Sequence, residues 1–161
     1  MCMMKCYHIL ECDCLEEIRK ETLTWVKNNT NWLEGGATRF WNPTDIDPEK
    51  DIPTVVKYLK KMDLEIRQVW VGVLMKHDEV KLHTDEQPML AKINFPILNT
   101  KNTYTEWWDS NYMLARVETA DNVMVFNSSI PHKAVAEPDA ILPRIQLHTT
   151  FVKDCRELLG Y

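Results

Sequence analysis

Ala91-Lys92-Ile93-Asn94-Phe95-Pro96-Ile97-Leu98 alternates along its length, with Ile93, Phe95 and Ile97 on one side of an extended chain and Lys92, Asn94 and Pro96 on the other. Period-two alternation reads as a strand. The turn-forming cluster Asn99-Thr100-Lys101-Asn102 reverses the chain directly after it, and Thr103 to Trp108 reads as the returning strand. Upstream, Glu65 to Met75 carries Ile66, Val69, Val71, Val73 and Leu74, a turn at His77-Asp78 follows, and Val80 to Thr84 makes a short strand that delivers His83. Downstream, Met113 to Thr119, Asn122 to Phe126, Lys133 to Glu137 and Arg144 to Val152 complete the set. Many short strands at regular spacing predict a mainly β sandwich or barrel, although four glycines are few for such a fold.

The first sixty residues have a different texture. Cys6, His8 and Leu10 alternate with Tyr7 and Ile9 as a short strand would. Asp13 and Glu16 then form the pattern of a capping box before the stripe Leu15, Ile18, Thr22, Leu23 and Val26, and Asn28-Asn29 ends that helix. A loop with Gly35-Gly36 and Asn42-Pro43 leads to Asp47-Pro48, the signature of a second helix with proline at its first position, whose buried side is Val55, Val56, Leu59 and Met62. Trp25, Trp32, Trp41 and Trp70 read as packing residues. We expect one domain over residues 1–161, a helical support region over 1–63 and a β core over 64–153.

Composition narrows the class of function. With 161 residues, 45% hydrophobic and 27% charged, the chain can bury a sizeable core. A formal charge of −5 disfavours non-specific attachment to nucleic acid or an anionic membrane. There is no apolar run long enough to span a bilayer, and Met1-Cys2-Met3-Met4-Lys5 lacks the apolar core of a secretory signal, so a soluble cytoplasmic protein is expected. Five cysteines, Cys2, Cys6, Cys12, Cys14 and Cys155, crowd one end without paired C-x-x-C spacing, which suits reduced thiols better than disulfides or a structural zinc.

One constellation stands out. On an extended strand His83 and Asp85 point to the same side while Thr84 points away, so both can reach one ion. His132 follows the turn Ser128-Ser129-Ile130-Pro131, after the apolar strand Val123-Met124-Val125-Phe126. Two imidazoles and one carboxylate form a borderline-to-hard ligand set suited to iron(II), leaving coordination positions open. A lone His-x-Asp arises often by chance; the ordered set in the strand-rich half, with Arg144 twelve residues beyond His132, is far more specific. Arg144, Gln146, His148 and Thr150 share one face of the last strand and Ile145, Leu147 and Phe151 the other, so the polar face is either solvated or the lining of a ligand cavity.

The set His83-x-Asp85, His132, Arg144 resembles the iron(II)- and 2-oxoglutarate-dependent dioxygenases. So does its context: Leu82-His83-Thr84-Asp85, the strand Ala91 to Leu98, Val125-Phe126-Asn127 before the second histidine, and Pro143-Arg144 opening the last strand. The likeness covers residues 66–152 and is nearest to small aspartyl/asparaginyl-hydroxylase-like and prolyl-hydroxylase-like members, including short forms in phages and marine bacteria. It implies a double-stranded β-helix, or jelly roll. It implies Fe(II) held by His83, Asp85 and His132 as the catalytic centre, 2-oxoglutarate held at its far carboxylate by Arg144, and Asn94 and Gln146 facing the same co-substrate. Molecular oxygen would be the other co-substrate, with succinate and carbon dioxide released. The carboxylate at position 85 occupies the place that halogenating members leave to halide, so hydroxylation is implied. Many members have a glycine before the strand that precedes the second histidine, and this chain has none there, which leaves the turn geometry open.

The substrate is less legible. Nucleic-acid demethylases of this superfamily carry a second arginine six residues after the first, where this chain has Thr150, so a peptide or protein side chain or a small metabolite is favoured. Tyr104, Trp107 and Trp108 offer an aromatic wall for substrate, though such residues are more often core, and His148 reads as a structural histidine. The alternative from another class is a non-catalytic jelly-roll protein that binds metal, or serves a structural or interaction role, without turnover.

Overall fold

The computed structural model describes residues 5–29, 46–75, 80–85 and 90–160, together with the backbone of 39–40. The Gly35-Gly36 and Asn42-Pro43 loop, the His77-Asp78 turn, Trp32, Trp41 and Cys2 lie outside the described residues.

The chain runs through β1 (Tyr7–Leu10), α1 (Leu15–Asn28), β2 (Arg39–Phe40), α2 (Pro48–Asp51), α3 (Pro53–Lys60), β3 (Ile66–Leu74), β4 (Ala91–Leu98), β5 (Thr103–Asp109), β6 (Tyr112–Glu118), β7 (Val123–Asn127), β8 (His132–Ala136), β9 (Arg144–Phe151) and a closing 3-10 turn (Arg156–Leu159). Six strands form a major sheet in the order β1-β7-β4-β9-β3-β2, and three form a minor sheet in the order β6-β5-β8. Every pairing between these strands is antiparallel. This is a mainly β jelly roll, consistent with the double-stranded β-helix expected. Two strands of the N-terminal region join the major sheet at its two edges, so that region contributes more than helices.

The alternation read in β4 holds, with one difference: both faces are buried. Ile93, Phe95 and Ile97 join Val71, Val73, Ile145 and Leu147 in a large apolar cluster that also contains Ile18, Trp25, Val26, Val55 and Leu59 from the helices. The opposite face carries Lys92, Asn94, Gln146 and His148, all buried, and turns toward the minor sheet. There Trp107 of β5 packs with Met124, Phe126, Cys6 and Ile130 in a second cluster. Polar residues sealed between two sheets are costly unless partnered, which makes this inner face the place to look for function.

Three local expectations are corrected. Asp13 does not cap α1: Cys14 occupies that position without a side-chain cap bond, and Glu16 pairs with Arg19 instead of closing a box. Asp13 stands one residue too early for its carboxylate to serve the first free N–H groups. The second helix is two pieces, because Pro53 has no N–H to give and breaks the chain at Ile52. Val80 to Thr84 forms no strand; only His83 pairs, in an isolated bridge to His132. The turn before β7 does without glycine by placing Ala120 at φ +30, where the Thr100 hydroxyl donates to its carbonyl at 2.5 Å.

Candidate metal centre and anion cavity

Backbone pairing assembles the site. The N–H of His83 donates to the His132 carbonyl at 3.0 Å, the N–H of His132 returns the bond at 2.8 Å, and the N–H of Asp85 donates to the Ser128 carbonyl at 3.0 Å. Residues far apart in sequence are thereby locked side by side, and His83, Asp85 and His132 place one ligand atom each within 4.8 Å of one another. Among the described residues this is the one cluster of three such groups.

Both imidazoles are oriented for ligation. Nδ1 of His83 lies 2.7 Å from the Lys81 carbonyl and Nδ1 of His132 lies 2.8 Å from the Ile130 carbonyl. A carbonyl only accepts, so each Nδ1 carries a proton, and Nε2 is the ring atom turned toward the ligand position. Those Nε2 atoms face Asp85 Oδ1 at 3.6 and 3.9 Å. Burial, followed by the charge of Lys92, pushes the His132 imidazole down to about 4, so it is neutral at physiological pH, as a ligand must be. The Phe126 ring meets His132 edge-on at 4.6 Å and fixes it from behind. His83 is the more exposed ligand, and the site opens on its side.

Beyond the triad the inner face of the major sheet forms a narrow cleft lined by Lys92, Asn94, Arg144, Gln146 and His148, with Thr105, Lys133 and Ala134 of the minor sheet opposite. Arg144 is buried at the start of β9, and its Nε and Nη1 have no hydrogen-bond partner; Nε2 of Gln146 is likewise unpartnered. Burial alone lowers the Arg144 guanidinium to about 10, with no carboxylate to offset it. His148 donates from Nδ1 to Asn94 Oδ1 at 2.9 Å and stacks on Trp70 at 5.3 Å. Burial, then the charges of Lys92 and Arg144, holds it well below the usual histidine range, hence neutral. The cleft measures about 50 Å³ against about 570 Å³ for a groove lined by Pro48, Val56, Leu64, Ile66 and Val152. Size favours the groove, but only the cleft gathers unpartnered buried donors, and donors decide specificity.

The residues singled out from sequence therefore converge: His83, Asp85 and His132 at one end, Arg144, Asn94 and Gln146 along the cleft. The aromatic wall does not form at the cleft. Trp107 is core, its Nε1 donating to the Asn127 carbonyl and its ring stacked on Tyr7, while Trp108 donates to Glu106 and Tyr104 stacks on Arg116. Sequence reasoning missed Lys92, whose Nζ donates to Asp85 Oδ2 at 2.6 Å. The one sequence clue was that it shares the β4 face with Asn94, which by itself reads as a solvated lysine.

The sequence matches no protein-family model and no curated protein. In structure it is similar to a crystal structure of a prolyl-4-hydroxylase from Pseudomonas putida, with a TM-score of 0.57 and 11% sequence identity over 91% of each chain. That likeness is one of fold.

Proposed function

We propose that the protein is an iron(II)- and 2-oxoglutarate-dependent oxygenase that hydroxylates a peptide side chain or a small metabolite. The carrying observation is Arg144: a buried cation with two unpartnered N–H groups, in the cleft that ends at a His-Asp-His cluster. Such a charge is destabilising unless an anion completes it. The planar guanidinium suits two-point pairing with a carboxylate, and the free Nε2 of Gln146, opposite Gly72 in the register, supplies a further donor. A metal-binding jelly roll without turnover would have no use for it.

The donor set fits Fe(II): two imidazole nitrogens and one carboxylate oxygen, with no thiolate. The bound metal and 2-oxoglutarate would supply oxygen activation, with succinate and carbon dioxide as by-products. The chain's own part is to hold and to shield. His83 and His132 are oriented as ligands by their backbone bonds, Arg144 and Gln146 set the reach of the co-substrate, and Asn94 keeps His148 in place beside it. One neighbour in structure is a prolyl-4-hydroxylase, which supports keeping a peptide among the substrates. Thr150 in place of a second arginine, together with a net charge of −5, weighs against nucleic acid. No helix among the described residues is long and apolar enough to cross a membrane, which agrees with a cytoplasmic enzyme.

Thermal unfolding tests this reading through linkage. With Mn(II) as a redox-silent metal, 2-oxoglutarate at a hundred times its dissociation constant is expected to stabilise the protein by about 2.7 kcal/mol. Without metal it is expected to shift the melting temperature far less. A metal-loaded protein that 2-oxoglutarate leaves unmoved would overturn the proposal.

A further inference from the structure

Asp85 has two carboxylate oxygens, and the structure treats them differently. Oδ1 faces both imidazoles, 3.6 Å from His83 Nε2 and 3.9 Å from His132 Nε2. Oδ2 accepts from Lys92 Nζ at 2.6 Å. Lys92 has little freedom to let go. It is buried on β4, and its ammonium sits 4.8 Å from the Phe126 ring centroid and 5.6 Å from that of Trp70. These aromatic faces seat a cation favourably, and Asp85 is the one carboxylate with which it forms an ion pair among the described residues.

We propose that Lys92 is a positioning residue that ties down Oδ2 so that Asp85 can offer a metal only Oδ1. The inference rests on the oxygenase reading above and adds to it the reason for a buried lysine beside the triad. A carboxylate binds a metal through one oxygen or through both. If Asp85 bound through both, it would occupy a position that a two-point co-substrate needs. Lys92 also competes with a metal ion for the same carboxylate, because two cations beside one anion repel each other. Its removal therefore has two opposite effects. The metal is held as well as before or better, while 2-oxoglutarate loses a place to bind. Loss of an ordinary supporting residue weakens the metal itself, by about 10–100-fold.

The test uses the full chain with Lys92→Met, which keeps most of the side-chain volume and removes the ammonium. Free Mn(II) is followed by electron paramagnetic resonance, and 2-oxoglutarate binding to the Mn(II)-saturated protein by calorimetry. Mn(II) affinity is expected to stay equal or rise, and 2-oxoglutarate affinity to fall by about tenfold or more. A parallel loss of both, or no change in either, would overturn the role of Lys92. Infrared difference spectra of the wild-type protein, with Zn(II) minus without, give a check that needs no variant. Ligation through one oxygen separates the two carboxylate stretches widely, and a narrow separation would contradict the proposal. Wild-type protein that shows the wide separation but binds no 2-oxoglutarate would leave Lys92 in its role and overturn the oxygenase reading instead.

Discussion

Arg144 is the residue on which chemistry and stability pull against each other. Burial without a counter-ion lowers its guanidinium to about 10, so it is still charged at neutral pH, and the folded chain carries that charge uncompensated. Replacing a buried charge by an apolar residue of similar reach is often stabilising, by about 1–4 kcal/mol. Arg144→Leu is therefore expected to raise the stability of the metal-free protein by about 1–3 kcal/mol in denaturant unfolding while abolishing 2-oxoglutarate binding. A destabilised variant would mean that Arg144 has a structural partner, against the account. At this scale the sequence was generous. His83, Asp85, His132 and Arg144 were legible because the chemistry of metal and anion binding restricts both residue type and order. Lys92 was not, because its partner Asp85 lies outside its own strand and a lysine on a polar strand face ordinarily means solvent.

β3, β4 and β9 act as one unit, since their inner faces build the cleft in register. Asn94 stands opposite His148 across β4 and β9, and Trp70 stands opposite His148 across β3 and β9. Two residues along β3 from Trp70 is Gly72, and the reason for a glycine is steric: a Cβ there would lie 2.4 Å from Nε2 of His148. The imidazole cannot swing aside cheaply, being hydrogen-bonded to Asn94 and stacked on Trp70. Gly72→Ala is expected to destabilise the fold by about 1–3 kcal/mol and to weaken 2-oxoglutarate binding. An unchanged melting temperature with unchanged affinity would show that His148 is not fixed as described. Alternation made these strands readable to within a residue or so, because one face of each meets an apolar layer. Elements held by other forces were harder to read. The segment delivering His83 is positioned by one bridge to His132 and one bond from Asp85 to Ser128 and carries no periodicity, and the break at Ile52 follows from one proline that the apolar stripe of the helix conceals.

The whole molecule divides its labour between the two faces of one sheet. Helices cover the outer face and supply the core with Ile18, Val55 and Leu59, while the inner face looks toward the minor sheet and carries Asn94, Arg144 and Gln146, with His132 at the start of β8 opposite and His83 and Asp85 on the segment bridged to it. Stability and function thus draw on different layers, which accounts for a shared fold at 11% identity with a prolyl-4-hydroxylase: many apolar sequences can build the outer layer. That both faces of β4 are buried was not legible in the sequence, since a polar face sealed by a second sheet reads the same as one open to water. The central claim is that this sealed face joins a metal to a dicarboxylate. Anaerobic titration of the iron(II)-loaded protein with 2-oxoglutarate tests it most directly. A visible metal-to-ligand charge-transfer band that saturates with 2-oxoglutarate is expected, lost in Arg144→Leu and His132→Ala; iron demonstrably bound with no such band in the wild-type protein would overturn the proposed function.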